Sequence, residues 1–536
     1  MSDNFNEEHR FGSASFATEE QMRHAGLFRT VGPQIGFCEN RPIHLDGDAP
    51  MITIGGAGSG KFRDLLGYVL SSSPGQRMLV LDPRGEGYAV SHHVHAANGE
   101  HAWNWSPMNS GGHRCNPLDI LTIDSPNLHA DTKFVVEGLA AFAGHGESRY
   151  FVMRGRDWKS AMILSDVERH GKTSLPSLYR IVNTIESDRN AWADHLEAML
   201  NSRFESVRRT AGEMLTKQQD SPREFGSIMG EIYATLSFLD DPTLLASLED
   251  GDFSLADLCD REQPAKIFLN IPAEYLSIWS PLLRLFFVVT MLYKARRPDA
   301  PRLTLIVDEA GQLGHFEALL RAFTYGRGAG VRAWAIFQDV GQIIRNFGAP
   351  ALQGFLGSAQ MRQFFGVRDY QTAQLISDML GMQTLSFDDP LRQREAQRHR
   401  RQVIERVWNG DDPFDAAFEF AHHSRNAGER TKQARRLMTP DEILAMPEDR
   451  QILFISGKNM PPVFAHKRID SNALRYEARS GDHRAGAVEI RGIPPIPVWN
   501  LVIREGLSPL VVRSREREMS NSNDTGAPAP SIATKA

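Results

Sequence analysis

The stretch that decides the fold runs from Met51 to Phe62 and reads Met-Ile-Thr-Ile-Gly-Gly-Ala-Gly-Ser-Gly-Lys-Phe. It joins an apolar run typical of a buried strand to a helical pattern that continues to Leu70. A strand, a glycine-rich loop and a helix in this order can cradle a phosphate chain, because the loop N–H groups and the helix N-terminus face the same anion. The predicted phosphate-binding residues are Gly55, Gly56, Ala57, Gly58, Ser59, Gly60, Lys61 and Phe62.

The last two residues of this stretch decide its chemistry. Lys61 can reach the β and γ phosphates of a nucleotide. The next position normally carries Ser or Thr, whose hydroxyl binds the Mg²⁺ that bridges these phosphates, but here it is Phe62. Because that hydroxyl is missing, an ordinary strand-to-helix loop is an alternative interpretation.

A second element lies further along the chain, where the apolar run Leu303 to Val307 ends in two carboxylates. Open α/β folds bind ligands at the carboxyl ends of their strands. Asp308 can hold Mg²⁺ there, and Glu309 can polarise the attacking water. A strand that merely ends in acids before a turn is the alternative, but the two elements together predict a nucleotide site with ATP and Mg²⁺ as its ligands.

Short apolar runs that end in glycine or an acid predict the sheet. Near-continuous apolar strands separated by helical segments are typical of a parallel sheet that is buried on both faces. The predicted fold class is therefore α/β with a mainly parallel sheet. The runs are Met51 to Ile54, Met78 to Asp82, Ile267 to Ile271, Leu303 to Val307, Ala333 to Phe337 and Gln451 to Ile455.

The chain divides by pattern into several parts. The strand runs disappear between Leu128 and Phe253, where apolar residues follow helical spacing and predict an all-helical insertion. Leu391 to Arg436 carries eleven Lys and Arg against seven acids, which indicates either a mobile charged insertion or a solvated helix. The predicted divisions are a lead-in at 1–45, a nucleotide-binding domain at 46–125 and 256–475, the helical insertion at 126–255, the charged insertion at about 388–436, and a partly disordered C-terminal extension at 476–536.

Composition excludes several classes of protein. The 536 residues are 41% hydrophobic and 24% charged, as in ordinary globular proteins. The formal net charge of -6 excludes a polycation that coats nucleic acid, so any DNA contact is local. Three widely spaced cysteines give no disulfide framework and no zinc site, which fits the cytoplasm. The N-terminus does not resemble a signal peptide, and the apolar segment Pro281 to Lys294 contains Arg284, which predicts a buried helix rather than a membrane span.

Further motifs give the sequence a resemblance to a known family. Together with the two phosphate-site elements, they resemble the type IV coupling proteins, the TraG/TraD-like ATPases of bacterial conjugation and type IV secretion, which are related to the FtsK and HerA DNA pumps. The resemblance covers roughly residues 25 to 475. The motifs are Leu81 to Glu86, Asn116 to Asp119, Asp308 to Gly314, Arg327 to Arg332, Phe337 to Asp339 and Met438 to Ile443.

The resemblance implies a RecA-like P-loop ATPase core with an all-α domain inserted between its two nucleotide-binding elements. Members act as homo-hexamers at the inner-membrane base of a secretion channel. They receive relaxase-bound single-stranded DNA or protein substrates and drive transfer with ATP and Mg²⁺. Most have N-terminal membrane helices, and this sequence shows no membrane-spanning segment, so we expect a cytoplasmic protein that is peripheral at the inner membrane.

The family motifs also assign residues. By resemblance, Lys61 holds phosphates, Asp308 holds the magnesium and Glu309 orients the water. Arg327 matches the arginine finger that reaches into the site of a neighbouring subunit, and Gln338 matches the glutamine that senses the γ-phosphate. From the residues alone, a solubilising loop arginine and a strand-end glutamine bonded to local backbone are the alternatives.

Phe62 departs from the usual Ser or Thr of the family and makes slow hydrolysis an expectation. Three functions follow from the sequence. The leading one is an ATP-driven pump, the second is a non-hydrolysing substrate-docking adaptor, and the third is a related chromosome or phage DNA pump. An adaptor has no chemical use for Glu309, Arg327 and Gln338 together, so their presence favours a motor.

Overall fold

The computed structural model describes residues 7–109, 111–139, 147–387, 390–410, 412–414, 417–421, 431–467, 499–501 and 510–512. Its strands are β1 Gln34–Cys38, β2 Arg41–His44, β3 Met51–Gly55, β4 Arg77–Leu81, β5 His101–Trp105, β6 Ala265–Leu269, β7 Leu303–Val307, β8 Val331–Phe337, β9 Met361–Phe365, β10 Met382–Phe387, β11 Thr431–Arg436, β12 Arg450–Ile455, β13 Val463–His466, β14 Trp499–Leu501 and β15 Leu510–Val512.

Helices fill the connections between these strands. They are α1 Glu19–His24, α2 Gly67–Ser71, α3 Glu86–Ala97, α4 Leu128–Leu139, α5 Glu147–His170, α6 Leu175–Ser187, α7 Arg189–Leu200, α8 Glu205–Asp220, α9 Pro222–Leu236, α10 Pro242–Ser247, α11 Ser280–Arg296, α12 Glu317–Tyr325, α13 Val340–Phe347, α14 Ala349–Ser358, α15 Tyr370–Leu380, α16 Pro390–Trp408 and α17 Pro440–Leu444.

One sheet of eleven strands organises the molecule, in the order β2-β1-β13-β12-β9-β3-β8-β7-β4-β6-β5. The strands from β9 to β5 in this order all run parallel. The predicted α/β class with a mainly parallel sheet is confirmed. The prediction that the run Gln451 to Ile455 is one of the parallel strands is wrong. This run forms β12, which pairs antiparallel with both β9 and β13. Hydrophobicity reports burial on both faces but carries no information about strand direction.

Two apolar layers cover the two faces of the sheet. Alternate residues of β4 belong to different layers: Leu79 and Leu81 pack into one, and Met78 and Val80 pack into the other. All five residues of β4 are buried. This double burial explains why the parallel strands are almost continuously apolar.

The predicted all-helical insertion is present: α4 to α10 follow β5 and precede β6. Helix α11, which covers the apolar segment at Pro281, is buried and belongs to the larger core. Within the part of the chain that the structure describes, no helix combines the length and the apolar character that crossing a membrane requires.

The remaining three segments of the predicted division are the lead-in, the charged insertion and the C-terminal extension. The lead-in contributes β1 and β2 to the main sheet, and Pro42 in edge strand β2 weakens its sequence signal. Strand β10, just before the charged insertion, pairs antiparallel with β11 at its end, and the insertion contains the helix α16 at 390–408, as in the helical alternative. Most of the C-terminal extension lies outside the described residues, apart from the pair formed by β14 and β15.

Candidate nucleotide-binding site

The strand order brings the predicted site residues together. Strand β8 lies between β3 and β7 in parallel register, with Ile54 opposite Phe337 and Val307 opposite Ala335. The three strands therefore end side by side, at what we call the carboxyl edge of the sheet. Lys61 follows β3, Gln338 follows β8, and Asp308 follows β7.

The loop after β3 has the geometry of an anion cradle. Gly58 and Gly60 have φ values of 70° and 78°, in the left-handed region that favours glycine. Beside them, Ser59 Oγ is buried and has no hydrogen-bond partner among the described residues. An unsatisfied buried hydroxyl beside two left-handed glycines fits a loop whose polar groups are completed by a phosphate.

The helix after the loop begins irregularly. Residues Phe62–Leu66 form a π-helical turn that continues into α2. Phe62 is partly buried and packs on the smaller apolar layer of the sheet. Its ring takes the place of the usual hydroxyl and offers no oxygen to a metal.

The ammonium group of Lys61 lies inside the loop. Its Nζ donates to Gly55 O at 3.0 Å and lies 3.6 Å from Glu309 Oε1. The side chains of Lys61 and Glu309 are 10% and 20% exposed. The lysine of the first element and the second acid of the other element therefore form a partly buried ion pair across β8.

Asp308 is half-buried at the end of β7, and its desolvation together with the charge of Glu309 raises its pKa to about 7. Its Oδ1 accepts the Glu309 N–H at 3.0 Å. A carboxylate this poorly solvated gains strongly from a nearby cation. Among the described residues, no cluster of three or more His, Cys, Asp or Glu could hold a metal ion by itself.

Glu309 has an unusual backbone and a well-defined partner. Its φ of 53° is one of three positive values among the described non-glycine residues. Gln338 Nε2 donates to Glu309 Oε2 at 2.8 Å. Backbone strain of this kind clusters at functional sites, and the side-chain bond fixes the direction of the carboxylate.

Sequence reasoning missed the residue that orients Gln338. Gln342 Oε1 accepts the Gln338 N–H at 2.9 Å, and its amide also contacts Gly311, three residues after Asp308. Gln342 lies in the first turn of α13, behind the N-cap Asp339. Its only sequence signal is a buried polar residue on an amphipathic helix, which does not reveal its partner.

Two more polar residues border the site. Asp82, at the end of β4, accepts the Tyr88 N–H at 3.0 Å, and burial raises its pKa to about 6. Arg368 follows β9, and its guanidinium lies 3.7 Å from where a Cβ at Gly58 would stand. Asp82 ends one of the predicted apolar runs, whereas Arg368 belongs to none of the sequence motifs.

Arg327 is not part of this cluster. It lies in a short turn before β8, so it belongs to the opposite end of the parallel strands, which we call the amino edge. Its Nε lies 2.9 Å from Asp48 Oδ1, and Arg302 Nη2 lies 3.1 Å from the other oxygen of Asp48. The structure therefore brings together Lys61, Asp308, Glu309 and Gln338 but places Arg327 across the sheet from them.

Three tryptophans lie in or near the core, away from the phosphate loop's charged residues. Trp105 and Trp158 are fully buried. Trp103 is partly buried and stacks on Phe253, with ring centroids 5.7 Å apart. Their placement supports packing rather than stacking on nucleic-acid bases.

The fold and the carboxyl edge define a RecA-like P-loop protein with an inserted helical domain. Residues 4–479 match the family model described as type IV secretory system conjugative DNA transfer. The chain belongs to this family, the type IV coupling proteins.

Individual relatives are distant. Protein VirD4 of Rhizobium radiobacter is 23% identical over 540 residues, which span 98% of this chain and 71% of that protein. A conjugal transfer protein TraG of Escherichia coli is 21% identical and is covered over 65% of its length.

Solved structures share the fold. The bacterial conjugative coupling protein TrwBdeltaN70 superposes with a TM-score of 0.59 at 16% identity, covering 86% of this chain and 94% of that one. TrwB in complex with ADP and Mg²⁺ gives a TM-score of 0.58 at 17% identity, covering 85% of this chain and 94% of that one.

Proposed function

We propose that this chain is an ATP-driven coupling protein that recruits single-stranded DNA with its relaxase, or protein substrates, and drives them into a type IV secretion channel. The observation that carries the proposal is the contact of Lys61 and Gln338 with Glu309, next to Asp308 at the end of β7. Family membership supplies the transfer role. TrwB, which has the same fold, has been captured with ADP and Mg²⁺.

The chain's own residues account for nucleotide binding. The N–H groups of the loop and the Lys61 ammonium neutralise the phosphates. Asp308, in its deprotonated form, would be the protein carboxylate that holds Mg²⁺, and the ion would supply positive charge that offsets the charge of the nucleotide phosphates. Arg368 adds a guanidinium at the mouth of the loop, and no ion pair is found for it among the described residues.

We propose that Glu309 acts as the base. Its carboxylate can accept a hydrogen bond from a water molecule that attacks the γ-phosphate. Gln338 holds that carboxylate, and its own backbone is held by Gln342. Because Gln338 directly follows β8 and Arg327 precedes that strand, β8 connects the γ-phosphate-sensing residue of one site to the arginine that would serve the next site.

That arrangement favours a ring of identical subunits, which we propose to be a hexamer. Arg327 of one subunit would stabilise charge at the phosphate loop of its neighbour, as arginine fingers do. We further propose that the ring works in the cytoplasm as a peripheral component at the inner membrane, where the channel and its substrates meet.

Phe62 supports a second candidate, the non-hydrolysing docking adaptor. Its ring removes one magnesium ligand and so weakens the case for fast turnover. The assembled contact between Gln338 and Glu309 favours the motor, because docking alone does not need an oriented base. We therefore propose hydrolysis that is slow rather than absent.

The site is tested by nucleotide binding. Lys61→Ala removes the phosphate-binding ammonium and should reduce ATP affinity below detection by isothermal titration calorimetry. Lys133→Ala, at an exposed position on α4, is the matched control and should bind as the wild type does. Unchanged ATP affinity in Lys61→Ala would show that the nucleotide site is elsewhere.

A further inference from the structure

A second lysine supports the phosphate loop from behind. Lys467 directly follows β13, 408 positions beyond Ser59, and its Nζ donates to Ser59 O at 2.6 Å. Its side chain is 1% exposed. None of the roles described above uses this residue.

Among the described residues, Asp64 and Phe365 also contact the Lys467 ammonium. It lies 3.3 Å from Asp64 Oδ2, in a side chain that is 2% exposed, and 4.7 Å from the centre of the Phe365 ring. Arg63 Nε also donates to Asp64 Oδ1 at 2.6 Å. A buried charge is costly unless it is paired, so this arrangement fixes the ammonium in one place.

The cluster packs directly against the loop. A Cβ atom at Gly60 would collide with the Asp64 carboxylate, and one at Gly55 would collide with the Phe365 ring. The loop therefore rests on Asp64 and Phe365, and Lys467 contacts both of these side chains.

The geometry of one peptide group links this support to phosphate binding. In a trans peptide, the carbonyl of Ser59 and the N–H of Gly60 lie in one plane and point in opposite directions. Because Lys467 draws the Ser59 oxygen to the rear of the loop, the Gly60 N–H must point to the front. That N–H is one of the groups that a phosphate cradle requires.

We propose that Lys467 is a positioning residue of the nucleotide site, which orients the Ser59–Gly60 peptide for phosphate by holding its carbonyl. This inference rests on the proposed nucleotide binding at the loop. The residue that follows β13, on the antiparallel side of the sheet, would then help to hold the phosphate loop in the conformation that binds phosphate.

The effect should be seen in binding. Lys467→Met keeps the length and the apolar stem but loses the donor. We expect the affinity for ATP and for ADP to fall by roughly ten-fold or more, since hydrogen bonds from charged groups are worth that much when lost. Lys458→Met, between β12 and β13, makes the same change at a site away from the loop and should bind as the wild type does.

A double variant separates positioning from mere stability. Asp64→Leu combined with Lys467→Met replaces the buried ion pair by apolar groups of similar shape, which often restores stability. We expect the unfolding temperature to recover relative to Lys467→Met while ATP affinity stays low, because Ser59 O still lacks its donor. Calorimetry measures both quantities on the full chain.

The outcomes are distinct. Wild-type ATP affinity in the double variant, or in a folded Lys467→Met protein, would overturn the positioning role and leave nucleotide binding intact. A wild-type protein that binds no ATP would overturn both proposals. Weak binding in both variants, with recovered stability in the double variant, would support the role of Lys467.

Discussion

The carboxyl edge and the amino edge of the parallel sheet carry charges in different ways. At the carboxyl edge, Lys61 and Gln338 both contact Glu309, and the Lys61 and Glu309 side chains are at most 20% exposed. At the amino edge, Arg327 is 68% exposed and is held by Asp48, which it shares with Arg302. The charged groups at the carboxyl edge are mostly shielded from solvent and contact one another, whereas Arg327 at the amino edge is largely exposed to solvent.

The length of β8 determines whether Arg327 can reach the nucleotide site of its own chain. Its seven residues, Val331–Phe337, separate Arg327 from Gln338 by roughly 20 Å or more at about 3.3 Å per residue. This distance far exceeds the reach of an arginine side chain. If Arg327 takes part in hydrolysis, it must therefore act on the phosphate loop of another copy, and each chain carries parts of two sites.

Removing the charge at the amino edge should have the largest effect. Arg327→Ala should lower the rate of ATP hydrolysis by ~10³ to 10⁵, because arginine fingers contribute that much, while ATP affinity stays close to wild type. Arg321→Ala, an exposed arginine on α12 that pairs with Glu317, is the control and should change the rate little. Equal rates in the two variants would remove Arg327 from the mechanism.

The carboxyl edge should respond to pH through Asp308, whose pKa is raised to about 7 by burial and by Glu309. Below that value the carboxyl is protonated, and it must lose its proton before it can bind Mg²⁺. Magnesium affinity should therefore be level above about pH 7 and fall by up to about ten-fold per pH unit below it.

Calorimetry of ATP binding against Mg²⁺ concentration on both sides of pH 7 measures this dependence. In Asp308→Asn, the magnesium affinity should be low throughout and should lose its pH dependence. A wild-type protein whose magnesium affinity is the same at both pH values would contradict the assignment of the metal to Asp308.

The smallest expected effect concerns Phe62. Phe62→Thr supplies the hydroxyl that the loop lacks and should raise the hydrolysis rate several-fold, provided that Asp308 and Glu309 are intact. Phe62→Val has the shape of Thr without the oxygen and should not raise the rate. If Thr and Val give the same rate, the missing magnesium ligand does not limit turnover.

The sequence was sufficient to predict the positions of those site residues that directly follow strands. Asp308, Gln338 and the loop that ends at Lys61 each stand directly after an apolar run. Parallel strands place such positions at one edge of a sheet. Their mutual proximity was therefore predictable, although the contact of Gln338 with Glu309 needed the strand order, which places β8 between β3 and β7.

Other features depend on tertiary structure that no local pattern reports. The direction of β12 and the entry of β1 into the sheet come from pairing between distant segments. Lys467 and Asp64 carry no motif, and their ion pair joins residues that are far apart in the chain. Sequence periodicity identifies buried faces, but it does not identify the partner across a long connection.

The most direct test of a site shared between two edges uses mixed oligomers. Arg327→Ala and Lys61→Ala subunits are each expected to be inactive alone. In a mixed ring, an intact Arg327 from a Lys61→Ala subunit can face an intact loop of an Arg327→Ala subunit, so ATP hydrolysis should reappear when the two are assembled together. Verified mixed oligomers with no hydrolysis above that of either variant alone would contradict the account.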